Sequence, residues 1–151
     1  MLVSPTPAND RTVAVAVPPI TPSLYVRLRR EAAGLTRMQV AHRLYAMKTK
    51  RFFGDKRPRR LFSSVDQALA TIEQIEIPGA KVRYRPVIDV LAEVFPLDAD
   101  VYHQLASEPA NRHPAICRDC GCSTHDSCDG ICTLEGSTCT HCIAGARKLA
   151  A

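Results

Sequence analysis

All seven cysteines of the chain fall between Cys117 and Cys142, in the order Cys117-x2-Cys120-x-Cys122-x5-Cys128-x3-Cys132-x6-Cys139-x2-Cys142, with His113, His125 and His141 interleaved. A stretch of about thirty residues with so few large apolar side chains cannot fold on a hydrophobic core alone and needs covalent or metal cross-links. The compartment decides between the two. The only apolar run near the N-terminus, residues 12–17, is short, has no basic flank before it and runs into Pro18 and Pro19, so no secretory signal is expected. No apolar run reaches the roughly 18 residues of a membrane span, so no membrane partner is expected either. A cytoplasmic, reducing location follows, where clustered cysteines hold metal more often than they form disulfides. Two Cys-x2-Cys pairs bracketing about eighteen residues make a zinc signal, since each pair forms a tight knuckle whose thiolates converge on one tetrahedral ion. Cys117, Cys120, Cys139 and Cys142 are expected to complete one site. Cys122, Cys128 and Cys132 with His125 are expected to form a second, with His141 as the alternative fourth ligand. Two zinc ions are thus expected, and an iron–sulfur cluster is the rival chemistry.

Charge is as unevenly placed as cysteine. Residues 21–60 hold twelve Lys and Arg against two acids, residues 61–112 hold four against eight, and residues 113–151 three against four, within a formal net charge of +5. The basicity therefore belongs to one stretch, densest at 48–62, where seven basic residues and one acid accompany Phe52, Phe53 and Phe62. Such a concentration is an electrostatic footprint for phosphate. Seven thiolates and two zinc ions, by contrast, take the formal −1 of residues 113–151 to −4, and the chain's +5 to +2. The tail is therefore expected to support structure, dimerisation or a protein contact, and not to bind phosphate.

Between arm and tail the apolar residues recur at helical spacing. Residues 1–21 carry four prolines, with Pro22 directly after them, and read as a flexible arm. Leu24, Leu28, Ala32 and Leu35 define a first helix over about 22–33, with Arg27, Arg29, Arg30 and Glu31 mostly on its other faces. Gly34 supplies its stop, and Thr36 caps a second helix with Met38, Val40, Ala41, Leu44 and Tyr45 inward. Gly54 and Pro58 oppose a helix across the basic stretch, which reads as an extended loop or short hairpin. Ser64 and Gln67 match a capping box for a third helix with Val65, Ala68, Leu69, Ile72 and Ile75 on one face. Its outer face carries Asp66, Gln67, Ala70, Thr71 and Gln74. Pro86 opens a fourth helix, with Val87, Val90, Leu91, Val94 and Phe95 inward, and Asp98 caps a fifth containing Val101, Tyr102 and Leu105. With 5% aromatic residues and no tryptophan, the core must be mostly aliphatic.

The stretch LRREAAGLTRMQVA at 28–41 resembles the first two helices of the Cro and phage-repressor type helix-turn-helix family. IEQIE at 72–76 resembles the end of that family's recognition helix, and VIDVLAEVFPLD at 87–98 its fourth helix and following turn. The likeness covers about 24–107 and departs from the family at 48–62, which is interposed where the second and third helices normally lie a few residues apart. The cysteine run, with its Cys-x2-Cys-Gly-Cys opening, resembles zinc-binding tails of phage and bacterial proteins. These resemblances imply a mainly α protein: a five-helix helix-turn-helix bundle at 22–108 with a basic insertion at 48–62, a small zinc module at 113–144 and a tail at 145–151. They also imply a non-catalytic transcriptional regulator that binds double-stranded DNA, plausibly as a homodimer on a palindrome. Gln67 and Gln74 are the candidate base readers, Ala70 and Thr71 candidates for thymine methyls, and Arg37, Lys48, Lys50, Arg51, Lys56, Arg57, Arg59 and Arg60 candidates for phosphate. The alternative is an interaction adaptor that grips a partner protein through bundle and zinc module. An enzyme is not expected, because Ser63, Ser64 and the histidines form no spacing of a nucleophile with its base.

Overall fold

A computed structural model describes residues 17–49, 59–128 and 130–149, with side chains left out at 49, 59 and 147–149. The protein is mainly helical: α1 (Pro22–Ala32), α2 (Arg37–Ala46), α3 (Val65–Ile75), α4 (Arg85–Ala92), α5 (Ala99–Ser107) and α6 (Thr140–Leu149). A two-stranded antiparallel hairpin, β1 (Lys48–Thr49) and β2 (Arg59–Arg60), separates α2 from α3, and a second, β3 (Leu134–Glu135) and β4 (Thr138–Cys139), precedes α6.

Helix starts follow their caps. The Thr21 side chain accepts from the Leu24 amide and Pro22 sits at the first turn of α1. Thr36 and Gln39 form a reciprocal capping box on α2, and Asp98 accepts from the Asp100 and Val101 amides on α5. Gly34, at φ +68°, takes the left-handed conformation that ends α1. On α3 the box is half made: Ser64 accepts from the Gln67 amide, but Gln67 Oε1 turns to the Ser63 amide at 2.7 Å and the Ser63 hydroxyl at 2.8 Å.

One aliphatic core joins α1 to α5. Tyr25 and Val26, Val40, Ala41 and Leu44, Ala68 and Ile72, Ile88 and Leu91, and Val101, Tyr102 and Leu105 are all buried in it. The two buried tyrosines satisfy their hydroxyls on backbone amides, Tyr25 accepting from Asp98 and Tyr102 from Val82, and burial pushes both phenols up. Because α2 packs closely on α3, the hairpin between them is carried outward without parting the two helices. Phe62, 5% exposed, anchors its exit, whereas Phe52 and Phe53 lie outside the described residues.

Several side-chain placements differ from the helical reading of the sequence, and Ala32, expected on the apolar face of α1, is exposed. Met38 is exposed on α2. Ile20 is buried and Arg118 donates to the Pro18 carbonyl, so the end of the N-terminal arm is packed against the body, while residues 1–16 lie outside the described part. Most consequentially, Arg29 and Arg30 of α1 are buried, at 2% and 6% exposure. Arg30 grips Glu76 at the end of α3 with two hydrogen bonds, Nε to Oε1 at 2.5 Å and Nη2 to Oε2 at 3.0 Å, and Nη1 donates to the Leu35 carbonyl at 2.8 Å. Arg37 Nε adds a third contact to Glu76, at 2.7 Å. Burial alone would raise the Glu76 carboxyl, but the hydrogen bonds from Arg30 and Arg37 prevail and hold it below the ordinary glutamate range.

A depressed folded pKa contributes stability that is complete above the unfolded value, about 4.3 for glutamate, and is lost as pH falls through the folded one. Glu76→Gln should therefore cost about 3 to 5 kcal/mol at neutral pH by stranding Arg30. It should also remove part of the acid-induced loss of stability below about pH 4. Denaturant melts across pH measure both effects.

Candidate functional site

Local backbone geometry gathers the cysteines before any metal is considered. The Cys117 amide donates to the Cys122 carbonyl at 2.8 Å and the Gly121 amide to the Cys117 carbonyl at 2.9 Å, closing a tight turn that an Ile116–Ser123 bridge extends. The β3–β4 hairpin pairs Leu134 with Cys139, and the Arg118 amide donates to the Ser137 carbonyl at 2.9 Å, laying the hairpin against the turn. α6 then carries Cys142 back over the cluster and runs on through residue 149, across the expected boundary between module and tail.

None of the seven cysteines is in a disulfide. They form two quartets, Cys117, Cys120, Cys122 and Cys139, and Cys122, Cys128, Cys132 and Cys139, each with its sulfurs within 4.8 Å of one another. Cys122 and Cys139 belong to both. Cys142 groups instead with Cys117, at 3.9 Å between sulfurs, and with Asp119. A tetrahedral ion with metal–sulfur bonds of about 2.3 Å sets its sulfurs about 3.8 Å apart. The sulfur separations of 3.7 Å for Cys120–Cys139, 3.7 Å for Cys122–Cys132 and 3.6 Å for Cys128–Cys139 match that edge. The residues present therefore fit a thiolate-bound metal ion.

Electrostatics mark one sulfur out. Burial pushes the Cys120, Cys122, Cys128 and Cys142 thiols up. It pushes Cys139 the same way, but hydrogen bonds from the Cys142 amide and from neighbouring thiols outweigh it and bring Cys139 down to about 6. Cys139 also donates its own amide to Cys117 Sγ at 3.3 Å.

The histidines are not gathered in. His125 is exposed and stands outside both quartets; the fourth place expected for it is filled by Cys139, which the β3–β4 hairpin brings to Cys128 and Cys132. His113 meets the Glu108 carbonyl through Nε2, and His141 is exposed on α6. The sulfurs expected to pair from the two Cys-x2-Cys knuckles do approach one another, Cys117 to Cys142 at 3.9 Å and Cys120 to Cys139 at 3.7 Å, and the turn at Gly121 brings Cys122 in beside Cys117 and Cys120 as well.

The module is seated on α1. Arg29 reaches out of the core to the Pro96 carbonyl at 2.9 Å and forms an ion pair with Asp126 at 2.6 Å. Burial pushes the Asp126 carboxyl up against the pull of Arg29. Gly121, at φ +76°, lies so close to α1 that a Cβ there would stand 3.0 Å from Leu28 Cβ and 3.0 Å from Arg29 Cδ. These contacts, absent from any spacing rule, make the cysteine module part of the helical body.

The positions expected to meet DNA divide among hairpin, α2 and α3. Lys48 and Arg60 face each other across the hairpin, both exposed, and the Arg60 guanidinium lies 4.3 Å above the Tyr45 ring of α2. Thr49 pairs with Arg59, while Lys50, Arg51, Lys56 and Arg57 lie outside the described residues. Arg37 is half exposed but committed to Glu76. On α3, Ala70 and Gln74 are exposed, Gln67 is held by Ser63, and Thr71 is half-buried and donates to the Gln67 carbonyl at 2.9 Å. The same exposed face carries Asp66 and Glu73, and α3 has no basic residue. Among the described residues no helix is long and apolar enough to cross a membrane.

Compared with family models, curated proteins and solved structures, the chain matches none. The close seat of the module gives a direct test of the geometry. Gly121→Ala should lower stability by about 1 to 3 kcal/mol, through a left-handed backbone and the clash with α1. A thermal melt of the full chain that leaves the midpoint unchanged would refute the docking.

Proposed function

We propose that the protein is a regulator of transcription that binds double-stranded DNA through the basic hairpin between α2 and α3, and that its cysteine module holds two structural zinc ions. One observation carries the DNA reading. Of the twelve basic residues between 21 and 60, Arg29 pairs with Asp126, Arg30 and Arg37 share Glu76 and Arg27 pairs with Glu31, whereas seven fall at 48–60. Lys48, Lys50, Arg51, Lys56, Arg57, Arg59 and Arg60 supply phosphate contacts, with Arg60 pre-positioned on Tyr45. Ala70 and Gln74 are the groups of α3 available to base edges, with Thr71 at their margin. Gln67 contributes less because Ser63 holds its carbonyl oxygen. Binding as a homodimer to a palindromic site belongs to the same reading.

Zinc is favoured over an iron–sulfur cluster by the crowding of the thiols. A cubane spreads its cysteines over separate irons and so holds their sulfurs farther apart than one shared ion does. Sulfurs within 4.8 Å of one another suit single tetrahedral ions. Zinc there cross-links a segment that lacks a core of its own and seats it on α1.

If about five to seven phosphates are contacted, log affinity for duplex DNA should fall against log salt with a slope of about −5 to −6. Arg60→Ala should weaken cognate and random duplexes together and reduce that slope by about one. Gln74→Ala should cost about 1 to 3 kcal/mol on the cognate duplex alone. A flat salt response would reject DNA and turn attention to a basic protein partner for the acidic face of α3, the adaptor function. Elemental analysis of the purified chain should find two zinc ions, and stoichiometric iron would reject the zinc assignment.

A further inference from the structure

Two four-coordinate ions need eight ligand positions, and the module offers seven thiols. Neither quartet contains a histidine, and the one carboxylate grouped with cysteines among the described residues, Asp119, stands outside them beside Cys117 and Cys142. Ligands must then be shared, and only two sulfurs stand in both quartets. We propose that the cysteines build one binuclear thiolate centre in which Cys122 and Cys139 each bridge both ions, Cys117 and Cys120 complete the first coordination sphere, and Cys128 and Cys132 complete the second. This inference rests on the zinc reading above and replaces two separate sites with a single cluster.

Position and electrostatics agree with this assignment. Cys122 and Cys139 are buried, at 1% and 0% exposure, where an isolated thiolate would be costly. A sulfur shared by two dications carries the least residual charge, so the bridging positions belong in the interior. Terminal Cys128 and Cys132 lie nearer solvent, and terminal Cys117 is buried but accepts the Cys139 amide. Cys142 stands outside both quartets. Its sulfur lies 3.9 Å from Cys117 Sγ, and its amide donates to Cys139 Sγ at 3.5 Å; in the proposed centre it serves through that hydrogen bond to a bridging sulfur, which a serine at that position retains. With six thiolates and two dications the cluster carries −2.

The full chain loaded with cadmium-113 tests the bridge without any substitution. Proton–cadmium correlation spectra should show two cadmium resonances per chain. The β-protons of Cys122 and Cys139 should correlate with both, those of Cys117 and Cys120 with one, and those of Cys128 and Cys132 with the other. In Cys142→Ser both resonances should persist. Two resonances with every cysteine correlating to one alone would overturn the bridge while leaving the metal reading intact, and so would loss of a cadmium ion in Cys142→Ser. A single bound ion would overturn the binuclear centre, and no bound cadmium or zinc would overturn the metal reading with it.

Discussion

Two adjacent arginines on α1, both buried, fix the relations among the remaining parts. Arg30 points to the end of α3 and is neutralised by Glu76, whose second oxygen also takes Arg37 from the start of α2. Arg29 points away from that pair to the Pro96 carbonyl and to Asp126 in the cysteine module. A guanidinium removed from water requires a partner of fixed geometry, so each arginine specifies a place for a distant segment as well as offsetting a charge. Through one helical turn, the α2–α3 pair and the metal-ligand module are both referred to α1.

That arrangement redistributes what the surface presents. Charge on α1 and the start of α2 is consumed internally by Glu76 and Asp126, while Lys48 and Arg60 stand exposed on the β1–β2 hairpin, held by Arg60 on Tyr45 and by buried Phe62. The neighbouring face of α3, with Asp66 and Glu73, presents the opposite sign. A duplex approaching this side meets attraction from the hairpin and repulsion from the acids of the helix, which makes the hairpin the dominant source of affinity in the proposed function. The cysteine module sits on α1, where Gly121 lets its first turn close onto Leu28 and Arg29.

Much of this was legible in the sequence where the signal is local. Thr36, Ser64 and Asp98 mark helix starts because a cap acts within three residues, and the aliphatic periodicity places Ile72, Leu91 and Tyr102 inside. Periodicity could not reveal the burial of Arg29 and Arg30, since their partners lie far along the chain: Glu76 is 46 residues beyond Arg30. The same limit explains Gln67, whose capping geometry was readable but whose side chain chose Ser63. In the tail, Cys-x2-Cys spacing pointed to a cysteine cluster that could hold metal, and the structure does bring the cysteine sulfurs together. Spacing could not group them, because grouping depends on how the Gly121 turn meets the β3–β4 hairpin, and that encounter put Cys139 where His125 was expected.

Arg29 couples the cysteine module to α1 and so to the helical body. Hydrogen exchange of the full chain, with and without a zinc chelator, reads this coupling at individual amides. With zinc bound in the module, chelation should strip protection from residues 117–142 and also lower it in α1 around Leu28, Arg29 and Arg30, because Asp126 and Gly121 no longer hold that helix. Protection in α1 unchanged while the cysteine segment exchanges freely would contradict that coupling.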